Sequence, residues 1–258
     1  MVLSACPNIV DYAKGGIAHW ARSASRRGRD PGNGEDNMCN LYSATKGPQA
    51  IRDFARALRG DVGTCRRCLA SFPTIRADVR SALEGRERVM ARWGMPSPFE
   101  VLKGKNRDPG VTNIRNVSSP HWRRWLGLEN RCVVPFSSFS ENEALPDGSR
   151  PPAWFAFDES RPLAFFAGLW TRWTSVRKVK EDETTNDLYG FLTTVPNAEV
   201  KAIHPKAMPV ILTTPEEVDV WMTAPPKEAL ALQRPLPDGS LQIVARGDRT
   251  GDAAGAEI

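Results

Sequence analysis

Ile51, Phe54, Ala55 and Leu58 share one face of a 3.6-residue repeat, which predicts a short amphipathic helix over about 47–59. Further along, apolar residues gather in runs too short for helices. Val89-Met-Ala-Arg-Trp93, Arg131-Cys-Val-Val-Pro-Phe136, Trp154-Phe-Ala-Phe157, Leu163 to Trp170 and Tyr189 to Val195 are β-branched or aromatic and bounded by turn formers, so each reads as a strand. Pro146-Asp147-Gly148 is a turn joining two of these runs as a hairpin, and Pro237-Asp238-Gly239 repeats the device before a strand at Leu241-Gln-Ile-Val244. Thr214-Pro215-Glu216-Glu217 starts a helix, with Thr as cap, Pro in the first turn and Glu placed to close a capping box. That helix turns Val218 and Trp221 inward. The stretch Ser71 to Gly85 has no clean period of either kind. Strands outnumber helices and their turns are short, which predicts an α+β fold with mainly antiparallel sheet and no internal repeat.

Composition narrows the class. The 258 residues, 41% apolar and 25% charged, suit an ordinary globular protein of one large or two small domains. No apolar run approaches the roughly 20 residues of a membrane helix, so no membrane partner is expected. Five cysteines, odd in number and without a framework spacing, fit a reducing, cytoplasmic setting. Cys65-Arg-Arg-Cys68 has a metal-ligand spacing, but no second Cys/His pair follows, so no metal is expected. Residues 1–37 read as a disordered appendage, rich in Gly, Ser and Arg and lacking the apolar core of a secretory signal. They read as upstream sequence annexed by a wrong start. A flexible tail is expected over 247–258.

Charge then points to a partner. The net charge is +5. Between Lys103 and Arg131 seven basic residues (Lys103, Lys105, Arg107, Arg115, Arg123, Arg124, Arg131) face Asp108 and Glu129 alone, a surplus of five in one window. Trp122 and Trp125 lie inside it and Trp93 just before it. Cations for phosphates and ring faces for bases suit single-stranded nucleic acid, and a solvated loop with core tryptophans is the alternative.

Four places carry candidate chemistry. In Met38-Cys39-Asn40-Leu41-Tyr42, a start at Met38 followed by trimming would give Cys39 a thiol and a free α-amine, which together capture an aldehyde as a thiazolidine; an ordinary buried cysteine is the alternative. In Asn113-Ile-Arg115-Asn116, amides flank a guanidinium whose planar fork suits a phosphate, against a plain turn with a surface arginine. Glu141 closes the apolar and hydroxylic run from Phe136, where a carboxylate with raised pKa can shuttle protons or merely meet solvent. His204, in Ala202-Ile-His-Pro205, suits proton transfer or a structural role.

Together these residues resemble the SOS response associated peptidase (SRAP) family. The resemblance rests on Met-Cys at a start, Arg92-Trp93-Gly94-Met95-Pro96, Asn113-x-Arg115, Arg131-Cys-Val-Val-Pro135 with Glu141, Phe166-Ala-Gly-Leu-Trp170, and Thr193-Thr…Pro196-Asn…Ile203-His204-Pro…Met208-Pro. It runs in order from Met38 to about Arg246. It implies one domain over 38–246, its sheet barrel-like with a few flanking helices, acting as a monomer without cofactor. It also implies a sensor of abasic sites in single-stranded DNA, working in the DNA-damage (SOS) response, that forms a covalent DNA–protein crosslink, a lyase-type activity. The family's thiol autoprotease activity, that of a hydrolase, would remove residues ahead of the cysteine. Carried over by motif, Cys39 forms the thiazolidine, Asn113 holds amine and sugar, Glu141 moves protons at the imine and His204 opens the sugar ring. Asn40, Trp93, Arg115 and Thr193 fall at the DNA-binding positions. A thiol peptidase acting on protein substrates and a non-covalent single-strand binder are the alternatives.

Three positions depart from the family pattern. Asn40-Leu41 replaces Gly-Arg, as in a subgroup with Met-Cys-Asn-Leu-Tyr-Ser. Asn142 follows Glu141 in place of Trp. A Pro-rich loop expected around 70–80 is absent, and the segment Cys65 to Arg80 in its place suggests a local frame shift.

Overall fold

Alternating apolar runs and turn residues fold into two sheets with short helices packed against them. The computed structural model describes residues 41–56, 76–82 and 85–247, with the backbone alone over 76–82 and at 85. The described chain runs β1 (Leu41–Ser43), α1 (Pro48–Ala55), β2 (Arg76–Ala82), β3 (Gly85–Trp93), α2 (Phe99–Leu102), β4 (Asn113–Ile114) and α3 (Pro120–Arg123). It continues through β5 (Arg131–Phe136), β6 (Ser138–Asn142), β7 (Pro152–Ala156), β8 (Ala164–Ser175), β9 (Thr184–Thr194) and α4 (Ala198–Ile203). Last come β10 (Met208–Pro209), β11 (Ile211–Leu212), α5 (Pro215–Thr223), α6 (Pro226–Ala229) and β12 (Gln242–Arg246). Cys39, Asn40, residues 1–37, the Cys65–Cys68 pair and 248–258 lie outside the described residues.

The smaller sheet has the order β1-β6-β7-β12, antiparallel throughout. The larger has the order β10-β9-β3-β2-β5-β8-β11, with β4 also on β9. Because β8 and β9 pair from Gly168↔Phe191 to Ser175↔Thr184, the pairings pass from β9 through β3, β2, β5 and β8 and return to β9. Its parallel contacts are those of β9 with β3 and β4.

Strand β5, Ala164 to Leu169 of β8 and Leu188 to Thr194 of β9 are buried on both faces, and the first two read as unbroken apolar runs for that reason. On β9, Leu188 and Leu192 enter one core while Tyr189 and Phe191 enter the other. Val133 of β5 joins the first core; Cys132, Val134 and Phe136 join the second. The first core is covered by Ile51 and Ala55 of α1, Trp122 of α3, Val218, Trp221 and Met222 of α5 and Ala229 of α6. The second lies between the sheets, where Phe139 and Phe155 meet Phe136, Phe166 and Phe191, with Val200 of α4 at its edge. Truncating one such ring to Ala costs about 3–5 kcal/mol.

Several local expectations hold. Strand β5 spans Arg131–Phe136 as read. Gly148 and Gly239 occupy positive φ in their Asp-Gly turns, where a side chain would be strained. Thr214 caps α5 by accepting from Glu217 N at 3.2 Å. Glu217 reaches one residue further back than a capping box requires, taking Thr213 N at 2.7 Å. Helix α1 is shorter than expected, because Arg56 turns left-handed at φ 48°. Residues 76–82, without a legible period, nonetheless form β2 between β3 and β5.

The basic window needs correction. Arg131 is 1% exposed and belongs to the core: its Nη1 donates to Trp221 O (2.9 Å) and Ala224 O (2.6 Å), its Nε and Nη2 to Leu126 O. It satisfies carbonyls at the end of α5, where a cation is favoured. Trp122 and Trp125 are likewise buried. Asp108 is buried too, against Arg177 at 3.5 Å, and accepts from Ser97 Oγ (2.6 Å), Ser97 N (3.1 Å) and Gly110 N (2.8 Å). Arg177 Nη2 also donates to Gly94 O at 2.7 Å. This knot, with the Met95–Val111 bridge, closes the base of an excursion that leaves β3 and returns as β4.

Candidate functional site

Asn113, Arg115, Thr193 and His204 come together where β9 ends. Strand β4 lies parallel on β9 with Asn113 opposite Phe191 and Ile114 opposite Leu192. Ile114 enters the first core, so strand alternation turns Asn113 to the opposite face, where its Nδ2 donates to Thr112 Oγ1 at 3.1 Å. Thr193 is opposite Pro209 of β10 and fully buried, and its Oγ1 has no hydrogen-bond partner among the described residues. Arg115, exposed, bends back so that Nη1 donates to Thr194 O (2.6 Å) and Lys206 O (3.3 Å). No carboxylate lies within ion-pair distance of it among the described residues.

His204 ends α4. Asn197 caps that helix by accepting from Val200 N at 3.2 Å. Asp238 Oδ1 accepts from Ala198 N at 2.8 Å, and Glu199 Oε1 accepts from Gly239 N at 2.6 Å, so the Asp-Gly turn braces the same helix end. The His204 ring lies with Nδ1 3.1 Å from Ala207 O. A carbonyl only accepts, so Nδ1 carries a proton and Nε2 is the ring nitrogen left for proton transfer. Ala207 leads into β10, which ties this imidazole to the strand opposite Thr193.

Glu141 is on the smaller sheet, in β6, opposite Ala153 and 1% exposed. Its neighbour Ser140 faces Leu41, the first residue of β1. From there the chain is anchored by Tyr42, whose hydroxyl is 2.5 Å from that of Tyr189 on β9. Tyr42 is also edge-on to Trp93, Phe166 and Phe191. Helix α4 packs on β6, bringing the element that ends in His204 against the strand that carries Glu141.

Trp93 is placed otherwise than a base-stacking role requires. Its ring is stacked on Phe191 (5.1 Å) and Tyr189 (6.4 Å), 7% exposed, with Nε1 donating to Thr112 O at 3.1 Å. It supports the strand before Asn113 and offers DNA no open face. Sequence reading missed Gln233, whose Nε2 donates to Arg115 O (2.9 Å) and Thr193 O (3.0 Å). It also missed the Tyr42–Tyr189 pair. Both join residues far apart in sequence, and no local pattern announces them. Among the described residues no cluster of three His, Cys, Asp or Glu side chains could hold a metal ion, and no helix is long and apolar enough to cross a membrane.

The family model described as SOS response associated peptidase (SRAP) matches residues 38–249. A crystal structure of a Bacteroides thetaiotaomicron protein is similar with TM-score 0.59 and 20% identity, covering 79% of this chain and 90% of that one. A phage-related protein of Bordetella bronchiseptica is similar with TM-score 0.60 and 17% identity, over 79% and 92% of the two chains. At such identities the structural likeness speaks for the fold alone. No curated protein matches.

Proposed function

The chain belongs to the SOS response associated peptidase family, and on that premise we propose that it captures abasic sites in single-stranded DNA as a covalent thiazolidine through Cys39. One observation carries the reading: β1 begins opposite Ser140, beside the buried Glu141, and is tied by Tyr42 to the strand that carries Thr193. The reading requires Cys39, two residues ahead of Leu41 in the sequence, to act at this carboxylate and beside β4.

The chemistry is balanced with these groups. With Cys39 amino-terminal, its amine adds to the aldehyde carbon of the opened deoxyribose, and loss of water gives an imine. The thiolate then adds to the imine carbon, the nitrogen takes a proton, and the five-membered ring closes. Nε2 of His204 relays the proton that opens the sugar. Glu141 moves protons at the imine, Asn113 orients the amine, and Arg115 with Thr193 holds the flanking phosphate. An amide nitrogen cannot form the imine, so the reading requires Cys39 to be exposed by a start at Met38 or by removal of the leader. It also places the protein, as a monomer, in the cytoplasm.

The test compares the full chain with one whose first residue is Cys39, each incubated with a single-stranded oligonucleotide carrying one abasic site. The shortened chain is expected to run as a crosslinked species on a denaturing gel, and its Cys39→Ala variant is not. Equal reaction by a full chain still carrying residues 1–38 would sink the proposal.

The family description itself favours a second reading, a thiol peptidase that cuts the Met38–Cys39 bond. Mass spectrometry of the purified full chain would show that cleavage, abolished in His204→Ala.

A further inference from the structure

We infer that Gln233 is the positioning residue that sets the spacing of Arg115 and Thr193 as a phosphate grip; this rests on the DNA-binding reading above. Strand β4 has two rungs with β9, Asn113↔Phe191 and Ile114↔Leu192. In a parallel pair the next rung would join Arg115 to Thr193. The side-chain amide of Gln233 stands there in its place. Both N–H groups of Nε2 are used, one on Arg115 O at 2.9 Å and one on Thr193 O at 3.0 Å. The backbone carbonyl of Gln233 in turn accepts from Thr194 Oγ1 at 3.4 Å, so residue 233 is held to β9 by main chain and side chain alike.

The consequence follows from what the two strands carry at that point. Arg115 spends Nη1 on Thr194 O and Lys206 O, and its Nε and Nη2 have no acceptor among the described residues. Thr193 Oγ1 is buried and likewise without a partner among the described residues. The exposed guanidinium, with Nε and Nη2 unused, suits the oxygens of a single phosphodiester, and Gln233 fixes the strand end that carries it against Thr193. Gln233 need touch no DNA to govern that grip. It follows the short 3-10 turn Leu230–Leu232, so the segment that continues to Asp238 and Gly239 braces the phosphate side and the His204 helix together.

The test uses the full chain and an undamaged single-stranded oligonucleotide, so that non-covalent binding is read apart from crosslinking. Gln233→Met keeps the volume and charge and removes the donor. It is expected to weaken binding about ten-fold and to lower the slope of log affinity against log salt by about 0.7, one phosphate contact on a single strand. In an Arg115→Ala background the same change is expected to cost much less, because the grip it positions is already broken. Should Gln233→Met melt below the assay temperature, Gln233→Asn is read in its place; it keeps the amide but is one carbon too short to span both carbonyls. Wild-type affinity in the variant would overturn the inference, as would a loss of equal size with and without Arg115 at an unchanged salt slope. A wild-type chain that binds no single-stranded DNA would sink the DNA reading itself, a result distinct from either.

Discussion

Arg177 and Arg115 both reach backbone carbonyls near the excursion between β3 and β4, yet their surroundings differ in one respect. Arg177 is sealed in the knot with Asp108, whose carboxylate is also shared by Ser97 and Gly110. Burial pulls its guanidinium below the ordinary arginine pKa, and the nearby Asp108 pulls it back. A Cβ on Gly94 would lie 2.6 Å from Arg177 Nη2, and Gly94 at φ +120° is a position few side chains tolerate, so that residue has no alternative to glycine. Arg115 is held by two neutral carbonyls and faces solvent. Carbonyl acceptors orient a guanidinium without cancelling its charge, whereas a carboxylate does both. One arginine is therefore spent on the fold, and the other keeps its field available to an anion.

The contrast can be broken most forcefully at the knot. Asp108→Ala leaves Arg177 buried without its counter-charge, and unfolding in urea is expected to show a loss of about 3–5 kcal/mol. Arg115→Ala should do the reverse: stability within about 0.5 kcal/mol of wild type, but weaker binding of single-stranded DNA and a salt slope smaller by about 0.7. Equal stability losses in the two variants would erase the distinction. The smallest effect concerns His121, whose Nε2 donates to Pro96 O (2.9 Å) beside the knot, and whose Nδ1 accepts from Arg124 (3.2 Å). Burial, with Arg124 adding to it, lowers its pKa from 6.5 in the folded state despite the opposing hydrogen bond. The unfolded chain then takes the proton first, so stability should decline as pH falls through about 6.5, and urea midpoints of His121→Gln should be flatter there.

Much of the fold was legible because its signals are local. The Asp-Gly turns, the Thr214 cap and the bounded run Arg131–Phe136 each carry their own mechanism, and each is found where it was read. The far ends of β8 and β9 were not legible. Thr171 to Ser175 and Thr184 to Asp187 are largely polar, and they become strand through pairing with each other rather than by burying a face. Charge was legible as a total and misleading as a map: Arg131 and Asp108 look like surface residues in the sequence and lie in the interior. Of the candidate site, Asn113, Arg115, Thr193 and His204 gather at the end of β9, while Trp93 proves to be a core ring. Gln233 had no signal to give, since its whole effect is to join carbonyls 118 and 40 residues away in sequence.

The excursion between β3 and β4 has a last consequence. Trp93 and Asn113 dock in tandem on one edge of β9, at Tyr189 and Phe191, although nineteen residues lie between them in the chain. Their separation is thus measured by β9 as by a ruler, and the intervening loop has no say in it. Residues 99–107, outward of the Met95–Val111 stem and largely exposed, form a natural graft point: cargo spliced there would ride on a closed stalk while the register of Asn113 stays untouched.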